Sequence, residues 1–138
     1  MIEIVKYNEQ EHLEIIKNWG KDRGLILIPA LLSNYGYILK ENGECKLAVW
    51  VYFFQDVPIV QLDHLCTNPN INPFKGIIYL NKMLNFIKVF LKEIEKLKNE
   101  KFLMIRVYVK KEMQSGCEKL GFVVDQKDGI ICNLLFTE

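Results

Sequence analysis

Asp63 and His64 stand side by side inside a largely apolar stretch, Ile59 to Thr67. A histidine titrates near neutral pH and a carboxylate is a common proton acceptor, so either side chain suits general-base work. On a strand, neighbouring side chains point to opposite faces, so only one of the two can face a given cleft. The plainer reading is that both are polar strand residues satisfied by hydrogen bonds. Lys75 and Gly76 precede a long segment of helical periodicity, and a lysine at a helix start suits an anion site; its plainer reading is a solvated lysine. The four cysteines, Cys45, Cys66, Cys117 and Cys132, form no CxxC pair and match no zinc spacing, so reduced, mostly buried thiols and no metal are expected. Trp19, Trp50, Tyr35, Tyr37 and Tyr52 are candidates to line an acceptor pocket. Trp50, in the middle of an apolar run, reads rather as core. Gly36, between two tyrosines, marks a bulge or a close backbone approach.

These residues need elements to hold them. Ile2 to Tyr7 alternates apolar and polar, as a first strand does. Asn8 with Glu11 three residues later opens a helix whose stripe is Leu13, Ile16 and Trp19. Leu25 to Ser33 is an apolar loop or short helix containing Pro29. Tyr35 to Glu41 and Lys46 to Phe54 read as strands joined by the hairpin turn Asn42-Gly43, the second strand being buried on both faces. Ile59 to Thr67 completes a three-strand meander. Asn68 to Lys75, with Asn-Pro twice, reads as a loop. The spacing of Leu80, Met83, Leu84, Ile87, Leu91 and Ile94 predicts one long helix from after Gly76 to about Asn99, widened by Phe86, Val89 and Phe90. Phe102 to Val109 is a strand, and Lys111 to Lys119 a short helix closed by Gly121. Phe122 to Asp125 and Ile130 to Phe136 make a closing hairpin around Asp128-Gly129. No repeat or linker interrupts the pattern, so residues 1–138 are expected to be a single α/β (α+β) domain.

Composition narrows the partners. Half of the 138 residues are hydrophobic and the formal charge is +1, which argues against disorder and against a global basic field for nucleic acid. The only arginines are Arg23 and Arg106, and no basic stripe interleaves with aromatics. The longest apolar run, Leu47 to Phe54, is too short to span a bilayer. Met1-Ile2-Glu3 does not open a basic segment followed by an apolar one, so no signal peptide is expected. Together these point to a cytoplasmic protein with no nucleic-acid or membrane partner.

The order strand, helix, three-strand meander, loop, long helix, strand, short helix, hairpin resembles that of the GNAT acyltransferase superfamily. Cys117-Glu118-Lys119-Leu120-Gly121-Phe122 is similar to the Y-E-K-L-G-F segment closing the short helix of that family. Pro29 to Leu32, Tyr35-Gly36-Tyr37, the strand ending at Tyr52, and Thr67-Asn68-Pro69 resemble a divergent GNAT-like group common in bacteriophage genomes. The resemblance implies a GNAT-like fold, a central mixed, mostly antiparallel sheet of about six to seven strands flanked by one long and several short helices. It implies N-acetyltransferase activity with acetyl-CoA as co-substrate, acting on a small-molecule amine or a protein lysine or N-terminus, in a bacterial or phage-infected cell. The pantetheine arm would run beside Leu65, Cys66 and Thr67, and the pyrophosphate would meet Lys75, Gly76, Ile77 and Ile78. Asp63 or His64 would be the general base.

The departures from the family pattern are specific. The phosphate loop [Q/R]-x-x-G-x-[G/A] puts Pro73 at its basic or amide position and branched Ile78 at its small one. Cys117 stands where the family's tyrosine acid belongs, which makes its thiol the candidate proton donor. These departures give a second implication, a GNAT-like binding or structural module that kept the fold and lost the cofactor, such as a phage-encoded accessory or virion-associated protein. The chain would be a monomer, or a homodimer joined through Ile130 to Leu135 of the closing hairpin acting as an edge.

Overall fold

A computed structural model describes residues 1–21, 23–109, 111–126 and 131–135 of the chain. Seven strands and three α-helices follow one another as β1 (Ile2–Lys6), α1 (Glu9–Gly20), β2 (Gly36–Glu41), β3 (Glu44–Phe53), β4 (Ile59–Thr67), α2 (Pro73–Lys98), β5 (Met104–Tyr108), α3 (Lys111–Lys119), β6 (Val123–Gln126) and β7 (Ile131–Leu135). A 3-10 turn, Pro29–Leu31, lies between α1 and β2. The strands are hydrogen-bonded in the order β1-β2-β3-β4-β5-β7-β6. No helix among the described residues is long and apolar enough to cross a membrane.

Packing groups the chain into two compact units, Met1–Trp50 with His64–Met83 and Val51–Asp63 with Leu84–Glu138. In the first, β1 pairs antiparallel with β2, and β2 with β3. The β2–β3 turn is set by Asn42 at φ 52° and Gly43 at φ 81°, the left-handed pair of a two-residue hairpin. Asn8 caps α1, its side-chain oxygen accepting from the Glu11 N–H at 3.2 Å. The core of this unit is Ile16, Ile38, Leu47, Trp50, Leu80 and Met83, all at most 6% exposed. Each such side chain contributes about 1.5–3 kcal/mol relative to leaving it in water. Gly36 is explained by its cross-strand partner. A Cβ there would lie 2.3 Å from Nε1 of Trp50, so this is a close approach and not a bulge.

In the second unit β4 pairs parallel with β5 over Ile59–Leu62 against Met104–Val107. β5 then pairs antiparallel with β7, and β7 with β6. The buried residues of α2 here are Leu84, Ile87 and Leu91, as the periodicity requires; Val89, read as widening the stripe, is 64% exposed. Gly121, at φ 96°, stops α3 where expected. β7 lies between β5 and β6, so the edge of this side is β6 and not the Ile130–Leu135 segment. The Asp128-Gly129 turn falls outside the described residues.

The start of α2 differs from expectation. The second Asn-Pro pair opens the helix instead of continuing the loop, so α2 begins at Pro73, and Lys75 to Ile78 are helical. Proline is well suited to the first helical position, where its missing N–H has no intrahelical partner to lose.

Candidate functional site

The second half of β4 departs from regular strand geometry. Its register with β5 ends at Leu62. Two residues on, His64 adopts φ 55°, a left-handed conformation that costs an L-residue roughly 1–2 kcal/mol. A strand carrying such a residue no longer alternates its faces regularly, so the opposite-face argument for Asp63 and His64 stops applying there. Both side chains are half-buried. The His64 ring meets the fully buried Trp50 indole edge-on, with centroids 6.0 Å apart and planes at 85°.

Leu65, Cys66 and Thr67 complete the strand. Burial pushes the Cys66 thiol up to about 12, with the charge of Arg23 opposing the rise. Arg23 comes from the turn that ends α1. Its Nη1 donates to the Thr67 carbonyl at 2.7 Å and approaches the Thr67 hydroxyl at 3.4 Å. Asn68, 7% exposed, then fastens the chain to β3. Its N–H donates to Lys46 O, and its amide nitrogen donates to the Glu44 carboxylate and the Cys45 carbonyl. Its side-chain oxygen accepts from the Asn70 N–H.

Asn72 caps α2. Its Oδ1 accepts from the Lys75 N–H at 2.9 Å and its carbonyl from the Gly76 N–H at 3.1 Å. Pro73 has no N–H to offer. At positions 73, 75 and 76, then, no uncommitted backbone donor remains for an anion, although the positive end of the helix dipole does. The Lys75 ammonium lies 3.6 Å from Glu41 Oε1 and 5.9 Å from the Tyr79 ring centroid. The Tyr79 hydroxyl donates to Glu41 Oε2. That hydrogen bond, ahead of the nearby Lys75 charge, holds the Glu41 carboxyl below the ordinary carboxylate range. Burial and the same bond push the Tyr79 hydroxyl up to about 12. Gly76 borders open space, for a Cβ there would meet only Ile71 Cδ1, at 3.7 Å. Ile77 is half-buried, and the Ile78 side chain is 46% exposed.

One unit therefore brings together His64, Leu65, Cys66, Thr67, Lys75, Gly76, Ile77 and Ile78. Asp63 ends the strand segment grouped with the other unit, and Cys117 belongs to that unit too. Cys117 is 1% exposed; a proton donor must reach its substrate, and this burial fits a packed thiol better. Tyr35 is at the surface, whereas Tyr37, Trp19 and Trp50 are buried. Among the described residues, no group of three or more His, Cys, Asp or Glu side chains is placed to hold a metal ion. Arg23, Glu41 and Tyr79 were not singled out from the sequence. Their contacts span 44 residues for Arg23 and 38 for Tyr79, and no local pattern announces them.

No protein-family model and no curated protein matches the sequence. Solved structures do match the fold. N-acetylglutamate synthase from Neisseria gonorrhoeae, complexed with coenzyme A and N-acetyl-glutamate, superposes with a TM-score of 0.68 at 12% identity. The match covers 100% of this chain and 36% of that one, so the chain spans about a third of the synthase. The PaiA N-acetyltransferase from Thermoplasma acidophilum, in complex with coenzyme A, gives 0.60 at 17% identity, covering 99% of each chain. The ribosomal-protein-S18-alanine N-acetyltransferase from Escherichia coli gives 0.61 at 13% identity, covering 100% of this chain and 96% of that one. With its strand order, its interrupted β4 and its long helix after that strand, this chain has the fold of the GNAT N-acetyltransferases.

Proposed function

We propose that the chain is an acyl-CoA-dependent N-acyltransferase, one GNAT domain that uses acetyl-CoA to acetylate an amine on a small molecule or a protein. The observation that carries this reading is the interruption of β4. The β5 register ends at Leu62, His64 turns left-handed, and Leu65–Thr67 run on to a capped helix start. A strand interrupted in this way can turn backbone groups toward an extended ligand. The likeness to GNAT structures that hold coenzyme A supports the same ligand class.

The residues present fit that ligand in one clear respect. At Gly76, on the first turn of α2, a Cβ would meet only Ile71 Cδ1, at 3.7 Å, among the described residues outside its own helix turn. A ligand can approach the helix backbone there, on the positive side of the dipole. Leu65, Cys66 and Thr67 would hold the pantetheine arm, and the α2 start from Lys75 to Ile78 would face the pyrophosphate. Bound acyl-CoA supplies an activated thioester; the chain's part is to orient the amine and remove its proton. His64 is assigned to receive that proton, its ring held edge-on by Trp50. Asp63 is the alternative acceptor, and Cys117 is left to packing.

Calorimetric titration of the purified protein with acetyl-CoA tests the reading, with Gly76→Asp as control. A Cβ at Gly76 makes only an ordinary contact with Ile71 Cδ1, so the variant should fold, as a thermal melt checks, while placing a negative charge where the phosphates would lie. Micromolar binding by the wild type that disappears in the variant is the expected result. No binding at millimolar acetyl-CoA would overturn the proposal and leave a repurposed GNAT fold.

A further inference from the structure

We infer that Arg23, and not Lys75, is the cation that receives the phosphates of the acyl-CoA donor; this rests on the acyltransferase reading above. Lys75 stands at the expected sequence position, but its ammonium is paired with Glu41, and Tyr79 holds the other oxygen of that carboxylate. Drawing Lys75 onto a phosphate would break that pair and leave Glu41 charged beside an anion. The backbone N–H groups of Lys75 and Gly76 already donate to Asn72. The start of α2 therefore offers a dipole and open space, but no uncommitted cation of its own.

Arg23 supplies what is missing. Among the described residues its side chain meets only Thr67, the last residue of β4, through the carbonyl and the hydroxyl, and no carboxylate pairs with it. A guanidinium has five N–H donors in a fixed fork, a geometry suited to phosphate oxygens, and among the described residues only Nη1 is engaged. It also covers the Thr67 carbonyl, whose negative end would otherwise repel a passing anion. Its backbone is held in place by the turn that closes α1. Arg23 N–H and Leu25 N–H both donate to the Gly20 carbonyl, at 3.0 and 3.2 Å, and Gly24 turns the chain at φ 72°. Arg23 is exposed, so a ligand can reach it.

The test compares acetyl-CoA with S-acetyl-pantetheine, a thioester lacking every phosphate, on the wild type, Arg23→Gln, Arg23→Lys and a Lys75→Gln, Glu41→Gln double variant, with thermal melts confirming that each folds. Arg23→Gln should weaken acetyl-CoA about tenfold or more, as loss of a charge-assisted contact does. Its affinity for S-acetyl-pantetheine should stay within about twofold, Arg23→Lys should recover part of the loss, and added salt should shrink the wild-type advantage. Lys75→Gln alone would leave the Glu41 carboxylate unpaired beside the phosphates, so it is combined with Glu41→Gln, and that double variant should lose less acetyl-CoA affinity than Arg23→Gln does. Equal loss of both ligands in Arg23→Gln would overturn the inference, since Arg23 would then act by holding Thr67. So would wild-type affinity for acetyl-CoA in Arg23→Gln, or a larger loss in the Lys75→Gln, Glu41→Gln double variant than in Arg23→Gln. A wild type that binds neither ligand overturns the acyltransferase reading as well.

Discussion

Replacing Gly36 with alanine should damage the fold out of proportion to one methyl group. The new Cβ would sit 2.3, 2.6 and 2.9 Å from Nε1, Cδ1 and Cε2 of Trp50. Unstrained carbon contacts lie near 3.5–4.0 Å, so a gap of about 1 Å must open. Neither side yields easily. The indole is rigid and 0% exposed, and Gly36 is fixed opposite Trp50 by the β2–β3 register. Its carbonyl also accepts the Tyr7 N–H at 2.8 Å, tying it to the end of β1. Overpacking of a filled core costs about 1–3 kcal/mol, and a rigid ring against backbone belongs in the upper half, about 2–3 kcal/mol. For a chain of 138 residues that is a fall in Tm of roughly 6–15 °C. Urea unfolding followed by tryptophan fluorescence reads it directly. Gly76→Ala is the matched comparison: it adds the same methyl into open space on a helix and should stabilise by up to about 1 kcal/mol. A loss below about 0.5 kcal/mol in Gly36→Ala, or equal losses in both variants, would refute the packing argument.

Two other outcomes follow from burial. Burial, ahead of the Lys40 charge, lowers the pKa of His12, which is 2% exposed and whose Nδ1 accepts the Asn8 N–H. The unfolded chain therefore takes up the proton first, so stability is full above about pH 6.5 and falls as the pH drops through that value, levelling off below the folded pKa. Urea midpoints at pH 8 and pH 5.5 should differ in the wild type, and His12→Leu should narrow the difference. The thiols of Cys45, Cys66 and Cys117 are buried, and burial raises those of Cys45 and Cys66. In the native protein at pH 8, site-resolved mass spectrometry should find these three unlabelled by iodoacetamide over minutes, and labelled after denaturation.

Much of the scaffold could be read from the residues because its signals are local. Asn42-Gly43 names its own turn, the bounds of β4 follow from its apolar run, and Gly121 marks the end of α3. Asn72-Pro73 suits both a loop and a capped helix with proline in its first turn, and the local residues alone favour the loop. The cap bond from Asn72 to the Lys75 N–H decides between them, and it exists only in three dimensions. The phosphate side of the candidate site was least legible. By sequence Lys75 is an available cation, but the fold sets Glu41, 34 positions earlier in the chain, beside it. Arg23 carried no signal until its turn was folded against Thr67. His64 was visible as a chemical type, but its left-handed backbone was not, since that conformation is imposed by the strands around it.

Asn68 has a thermodynamic consequence. Through its backbone and side chain it ties the chain leaving β4 to Lys46, Glu44 and Cys45 and also folds that chain onto Asn70. A segment already ordered in this way has little conformational freedom left to surrender when a ligand arrives. The entropy lost on association should then come mainly from the ligand, and the binding heat capacity should report buried surface instead of coupled folding. The connection between β4 and α2 acts as a rest prepared in advance, against which a ligand settles without first having to organise its host.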